Sequence, residues 1–456
     1  MKLRPLFILL AALTLSATVR SAPGTLIPRP QEATRLDGQF VFTTGIPVVY
    51  ASGLEPLAEY IADYIPLQRL DDRTWTAGAA LRLSLDGTMD DESYRLTVTP
   101  QGVQVVGADY GGVFNGLQTL LQLLPPEVYT GQATLPLAVD ACRIEDAPRF
   151  HYRGMMLDVV RTWMDADRVK RHIDLLSHLK INKLHLLLSN DEGWRLEIKS
   201  HPELTEIGAW RGGDSPVMPV YGKWDEKYGG FYTQDEMRDL IRYAAVRNVE
   251  IIPELDLPGH SRNFARVHPE ILCDYTPDLR PTAGYDYRSV WCASREENYR
   301  LLADILGELA ALFPSEYLHI GGDEVDMSQW EECPNCRALM AREGMADGHA
   351  LEQYFLGRLT RILEANGKRP AVWNEAIEGG ELARSTRVHG WESVKACLDA
   401  TAAGYRTVVM PGQYFYFDMR QSPHEDGHDW AAIFDVRKTY CLLYTSPSPR
   451  DRQKSR

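Results

Sequence analysis

The sequence predicts an α/β chain in which a (β/α)8 TIM barrel follows a small α+β domain. Past Arg149, short apolar segments alternate with amphipathic helical stretches, the rhythm of a parallel sheet clothed in helices. Polar and aromatic residues gather just beyond the C-terminal ends of those segments, one after another, which is how such a barrel builds an active site. A doubly wound sheet would concentrate its ligand groups at one switch point instead. At 456 residues the chain exceeds one ordinary core, so two domains are expected.

Taken in order, Lys2 and Arg4 precede an apolar run from Leu6 to Leu15 and small residues through Ala22, which reads as a cleaved signal peptide over 1–22. The run is too short to span a bilayer and no later stretch reaches its length, so no transmembrane segment is expected and the protein should be exported, to the periplasm or beyond the cell. Residues 23–147 form the α+β domain. Tyr94–Thr99 and Val103–Gly107 alternate around Pro100-Gln101-Gly102 as a hairpin, and Tyr110 to Leu124 sets Val113, Leu117, Leu120, Leu121 and Leu124 on one helical face.

Residues 148–440 hold the barrel. Its strands are expected at Gly154–Val159, Lys183–Leu188, Val249–Pro253, Tyr317–Ile320, Ala371–Trp373, Arg387–Gly390 and Thr407–Met410. Helices fall between them at Asp167–Leu179, Thr233–Arg247, Arg295–Leu312, Ala350–Asn366 and Val394–Ala403, the second opening on a Thr233/Glu236 capping box. The eighth strand would fall where 441–456 becomes a patternless run rich in Pro and Arg. That run is similar to a translated sequencing adaptor, so a non-native tail and an incomplete barrel are expected.

A net charge of −14 with no basic stripe excludes nucleic acid as a natural partner. Ten Trp and 22 Tyr suit stacking on sugar rings, although most aromatics in any protein are core. Seven cysteines in an exported chain leave one unpaired, and setting aside Cys441 leaves six. Cys333-Pro-Asn-Cys336 invites a zinc reading, but no second ligand pair follows at suitable spacing, so a local disulfide or a plain loop is expected and no metal is assigned.

The chemistry centres on His319-Ile320-Gly321-Gly322-Asp323-Glu324-Val325, which resembles the catalytic signature of glycoside hydrolase family 20. The resemblance runs from Leu26-Ile27-Pro28-Arg29-Pro30 to Tyr416-Phe417-Asp418, nearly all of the chain between leader and tail. Adjacent acids are poorly placed for the usual retaining arrangement, which sets two carboxyl groups roughly 5–5.5 Å apart across the scissile bond. They suit a substrate that supplies its own 2-acetamido oxygen as nucleophile and forms an oxazoline. The resemblance therefore implies a β-N-acetylhexosaminidase acting on an oligosaccharide or glycoconjugate without a cofactor. Glu324 would be the acid/base and Asp323 the residue that orients the acetamido group and balances its charge.

Other roles follow from the same resemblance. Arg161 would donate to hydroxyls of the terminal sugar, with an ion pair to Asp158 as the plain alternative. Trp373 and Trp391 would wall the acetamido pocket, Tyr416 would steady the acetamido carbonyl, and Asp418 would accept from a sugar hydroxyl. His260, in Pro253-Glu254-Leu255-Asp256-Leu257-Pro258-Gly259-His260, would support the catalytic glutamate.

Two departures stand out. Asn190 occupies the place of the aspartate that steadies the histidine, which predicts altered pH dependence or a slower reaction unless Asp191 substitutes. A tryptophan expected on the last barrel strand has no equivalent, so without it and the closing strand the chain as written is expected to be unstable or inactive. Two rival readings remain at this level: a non-catalytic sugar-binding relative, and an enzyme of the same mechanism that releases a disaccharide, a lacto-N-biosidase.

Overall fold

The computed structural model describes residues 25–213, 225–274, 289–380 and 382–445, and the side chains among these up to residue 442. The leader expected over 1–22 and the tail from 446 onward lie outside the described residues. Two units divide the chain, the first running to His151 together with Ser177–Lys180 and Val246–Asn248, the second comprising the remainder.

The first unit is built on a seven-stranded sheet. Its strands are β1 (Glu32–Phe42), β2 (Pro47–Tyr50), β3 (Gln68–Asp71), β4 (Leu81–Leu85), β5 (Tyr94–Thr99), β6 (Gly102–Gly107) and β7 (Leu137–Asp146), in the order β1-β7-β5-β6-β4-β2-β3. β5 and β6 form the expected antiparallel hairpin, Thr99 opposite Gly102, and β5 buries every second residue. The helix Tyr110–Leu123 packs into the same core, where Val105, Leu96, Val113, Leu117 and Leu121 are all buried. Asp109 starts this helix: its Oδ1 accepts from the Gly112 amide at 2.8 Å and its Oδ2 from the Glu92 amide at 3.0 Å.

The second unit supplies the parallel strands β8 (Gly154–Asp158), β9 (Lys183–Asn190), β10 (Glu250–Leu257), β11 (Tyr317–Gly321), β12 (Arg369–Trp373), β13 (Arg387–Gly390) and β14 (Arg406–Val409). Each pairs in parallel with the next, and every one overlaps a segment expected from sequence. β9 and β10 are buried along almost their whole length, the mark of strands covered on both faces. Helices Ala166–His178, Gln234–Val246, Glu296–Leu312, Gly348–Ala365 and Val394–Ala402 provide that cover. The second of them opens on the reciprocal capping box, with the Glu236 amide donating to Thr233 Oγ1 at 3.1 Å and the Thr233 amide to Glu236 Oε2 at 2.8 Å.

Among the described residues β8 and β14 are the outermost of these parallel strands, and the short strand Gly193–Trp194 also joins the sheet, antiparallel to the end of β9. The run expected to be patternless begins inside the helix Val436–Thr445, because Leu442 is buried and holds the last turn down.

Asp109→Ala removes two acceptors at once. It should lower the stability of the first unit by about 1–2 kcal/mol. Urea titration followed by near-ultraviolet circular dichroism measures this, and an unchanged midpoint would remove Asp109 from the account.

Candidate active site

Backbone conformation explains why the acids face the cleft. Beyond β11 the chain turns through Gly321 and Gly322, both left-handed at φ 72° and 92°. A Cβ on Gly321 would stand 2.4 Å from Asp256 Oδ1 and 2.5 Å from the Leu257 amide, and one on Gly322 would meet Ala376 Cβ at 2.7 Å. Only glycine fits both. Glu324 itself takes φ 48°, a conformation costing a non-glycine residue about 1 kcal/mol or more, and its amide is fixed at 3.2 Å from Glu375 Oε1. The turn delivers Asp323 and Glu324 side by side.

His260, left-handed at φ 44°, stands against both. Its Nδ1 lies 2.9 Å from Asp191 Oδ2, while Nε2 lies 3.3 Å from Glu324 Oε2 and 3.7 Å from Asp323 Oδ2. Burial disfavours a charged ring, but Asp256, Asp191 and Glu324 outweigh it and push His260 well above its usual pKa. The imidazolium donates to Asp191 from one nitrogen and to Glu324 from the other. Its hydrogen bond in turn holds Glu324 below the usual carboxylate range. Burial works against ionisation of Asp191, yet the bond to His260 wins and lowers its pKa as well.

Asn190 is therefore not the group behind His260. Asp191 substitutes, and the expected weakness at this point is corrected. Asn190 ends β9 with its side chain buried, where Nδ2 donates to Asp256 Oδ2 at 2.9 Å and Oδ1 accepts from the Asp191 amide at 2.7 Å. Strand alternation turns residue 190 inward beneath Asp256, and the next residue is left to reach the histidine.

Asp256 lies beneath Asp323, and burial followed by the Asp323 charge pushes it well above the carboxylate range. Burial raises Asp323 too, with His260 opposing. Asp323 Oδ1 is buried and accepts from no N–H or hydroxyl among the described residues, and the Asp323 carboxylate is hydrogen-bonded to the Asp256 carboxyl. Burial also raises Glu192 to about 7, against the pull of Arg161, and raises Glu375 to about 8 with help from Asp323. This is a site with an excess of carboxyl groups and little cation, suited to a positive charge that forms during reaction.

Aromatic rings complete it. Trp391 donates from Nε1 to Glu375 Oε2 at 2.9 Å and lies nearly parallel to Tyr416, with centroids 6.4 Å apart. Trp430 stands edge-on to both, at 6.0 and 5.7 Å. Burial and then the charge of Asp323 keep the Tyr416 hydroxyl protonated. Asp418 is exposed two residues further on. Trp373 sits lower, its Nε1 donating to Glu254 Oε1 at 2.8 Å and its ring packed on His319 and His185. Arg161 makes the plain ion pair with Asp158 at 2.9 Å and also approaches Glu192 at 3.8 Å.

The structure thus brings Asp323, Glu324 and His260 together, and sets Trp391 beside Tyr416. Sequence reading passed over Asp256, Glu375, Glu192 and Trp430. Two of these carried a signal: Asp256 shares a strand face with Glu254, and Glu375 follows Trp373 at a strand end. Among groups able to hold a metal, His185–Glu254–His319 brings two histidines to 2.8 and 3.1 Å from the Glu254 carboxylate, and Asp256–His260–Asp323 contains the cationic ring. Of the local disulfide or plain loop expected at Cys333 and Cys336, the disulfide is absent, since both are free thiols. A second pair does exist, in Cys273 and Cys292, which precede the first pair and reach it only through the fold.

Carboxyl groups converging on a cationic histidine, beside stacked aromatic rings at the C-terminal end of a barrel, place the protein among enzymes that cleave glycosidic bonds. Comparison with known sequences narrows this. The profile described as "Glycosyl hydrolase family 20, catalytic domain" matches residues 150–455, and the profile for domain 2 of that family matches residues 24–147. The chain belongs to glycoside hydrolase family 20.

A beta-hexosaminidase of Vibrio furnissii is 38% identical over 423 residues, covering 91% of this chain and 68% of the relative. One from Porphyromonas gingivalis is 34% identical over 398 residues, 85% of this chain and 50% of the relative. Among solved structures, the family 20 exo beta-N-acetylglucosaminidase of Vibrio harveyi in complex with N-acetylglucosamine superposes with a TM-score of 0.85 at 34% identity, covering 95% of this chain and 68% of that one. The beta-N-acetylhexosaminidase of Streptomyces coelicolor gives 0.79 at 30% identity, over 95% and 85%.

Asp191→Asn should weaken the hold on the second proton of His260 while keeping a polar group in place. The alkaline limb of kcat/KM is expected to move to lower pH, and kcat to fall on the order of 10²-fold. A pH–rate profile checks both, and an alkaline limb that stays put would separate Asp191 from this role.

Proposed function

We infer that the protein is an exo-acting β-N-acetylhexosaminidase that removes terminal, non-reducing β-linked N-acetylglucosamine or N-acetylgalactosamine. The configuration is retained and the substrate assists its own cleavage. The observation that carries this is the placement of two consecutive acids on one side of the site, Asp323 and Glu324, both facing His260 Nε2 at 3.7 and 3.3 Å. The Asp323 carboxylate suits the N–H of a 2-acetamido group, and a hydroxyl in place of that group would offer no equivalent nucleophile.

The sequence of events then follows from the groups in place. The Tyr416 hydroxyl donates to the acetamido carbonyl and turns its oxygen toward C1. That oxygen attacks C1 as the glycosidic bond breaks, and Glu324 gives its proton to the departing oxygen. Ionised Asp323 offsets the positive charge arising on the oxazolinium nitrogen. Water then opens the ring, with Glu324 taking its proton. In the resting site Glu324 is ionised against His260, so the pair holds one proton that passes to Glu324 as substrate displaces water.

Trp391, Tyr416 and Trp430 enclose the acetamido end, Trp373 lies beneath, and Arg161 and Asp418 suit the sugar hydroxyls. Support for turnover over mere binding comes from Asp191, which restores the charge that Asn190 would have lacked. The basic-then-apolar start from Lys2 to Leu15 supports export, where an oligosaccharide or glycoconjugate would be met.

Glu324→Gln should cut kcat on an N-acetylglucosaminide with a poor leaving group by about 10²- to 10⁴-fold. Near wild-type turnover would sink the assignment of the acid. Separately, the matching glucoside should be hydrolysed far more slowly than the N-acetylglucosaminide. Equal rates on the two would rule out assistance by the acetamido group.

A further inference from the structure

Four cysteines far apart in sequence meet in the second unit, away from the carboxylates of the active site. Cys273, Cys292, Cys333 and Cys336 are all buried, and their sulfurs lie within 4.8 Å of one another. Cys336 Sγ is 3.7 Å from Cys292 Sγ and 3.9 Å from Cys273 Sγ. A disulfide would need about 2.0 Å. Four thiolates around zinc at about 2.3 Å place neighbouring sulfurs about 3.8 Å apart, the edge of the tetrahedron. The observed spacing matches that edge.

We propose that Cys273, Cys292, Cys333 and Cys336 form a tetrahedral tetrathiolate site for a structural zinc ion.

The local structure is arranged for it. Cys333 caps the helix Pro334–Glu343 and Cys336 lies in its first turn, where exposed amides favour a thiolate. Cys273 follows the short turn Pro269–Ile271, and the Cys292 amide donates to the Ile271 carbonyl at 2.8 Å, so the other two ligands are fixed together. Ser294 Oγ lies 3.2 Å from Cys292 Sγ and 3.7 Å from Cys336 Sγ, and Arg295, ion-paired with Asp274, sits beside Cys292. These supply the hydrogen bond and positive charge that an outer shell gives to a tetrathiolate. Binding releases the four thiol protons and leaves a centre of charge −2, which Arg295 offsets in part.

The ion would tie together segments that matter to the active site. The strip ending at Cys292 carries Ser289, 3.5 Å from Asp191 Oδ1, and Trp291, whose Nε1 donates to Ser261 Oγ at 2.9 Å. Trp330, in the helix after Glu324, donates from Nε1 to the Trp291 carbonyl at 2.9 Å. The role is structural, with no part in proton transfer.

Metal analysis of the purified full chain, grown with zinc and read by inductively coupled plasma and native mass spectrometry, should give one zinc per chain. Reduced, metal-stripped protein titrated with cobalt(II) should develop the intense absorption of a tetrahedral tetrathiolate. The double variant Cys333→Ser/Cys336→Ser should lose the metal and melt on the order of 10 °C lower, whereas Cys397→Ser, at another buried thiol, should keep it. The wild-type metal content decides the matter even if the double variant does not fold. Stoichiometric iron, no uptake of zinc or cobalt by the reduced chain, or these cysteines paired as disulfides in zinc-grown protein would each overturn the proposal.

Discussion

A positive charge buried among carboxylates governs this site. The His260 imidazolium can exist in the interior only because Asp191, Glu324 and Asp323 face it, and those acids can crowd together only because it is there. The protonation of every neighbour follows from that mutual dependence. Asp256 is pushed up by burial and by the charge of Asp323, and burial raises Glu192 against the pull of Arg161 and raises Glu375 with help from Asp323. The resulting surplus of acid is costly in the resting protein. It is stabilising once the sugar becomes cationic, and this difference between the two states is what accelerates a reaction.

Beneath the acids the barrel carries an unusual layer. Five successive strands, β9 to β13, each turn one polar or indole side chain inward: His185, Glu254, His319, Trp373 and His389. Barrel interiors are commonly filled by branched aliphatics. Here burial opposes ionisation of Glu254, but His319 and His185 outweigh it and hold the carboxyl below its usual range. Burial pushes His389 well below its own. Glu254 accepts from Trp373 as well, so the carboxylate fixes the indole from below. The floor of the pocket is positioned by a buried anion two residues before Asp256 on the same strand face. The chemical layer and the supporting layer are therefore registered by a single strand.

Much of this was legible in the sequence. The barrel strands were readable because strands covered on both faces are short apolar runs, and the helix Gln234–Val246 because a Thr and a Glu three residues apart announce its start. Asp323 and Glu324 were readable because their segment resembles the family 20 signature and stands in order among other matching segments; two adjacent acids alone would pass for a solvated loop. The partner of His260 was misplaced by one residue, since a resemblance between aligned positions says nothing about which of two neighbours a turn presents. Trp430 escaped because it lies in a polar loop with no period. The four cysteines escaped for a related reason: spacing rules find ligands close in sequence, whereas Cys273 and Cys292 are joined to Cys333 and Cys336 only by folding.

The left-handed turn at Gly321 and Gly322 has a bearing on thermal motion. Where two catalytic carboxyls sit on separate strands, their separation fluctuates with every relative movement of those strands. Asp323 and Glu324 are joined by one peptide bond, so their Cα atoms stay about 3.8 Å apart however the barrel breathes. Vibration of the scaffold can shift the pair as a unit against the sugar but cannot change the spacing of the two backbone positions from which proton donor and charge partner extend. The covalent chain itself acts as the gauge, and slack elsewhere in the barrel can be tolerated without blurring the division of roles.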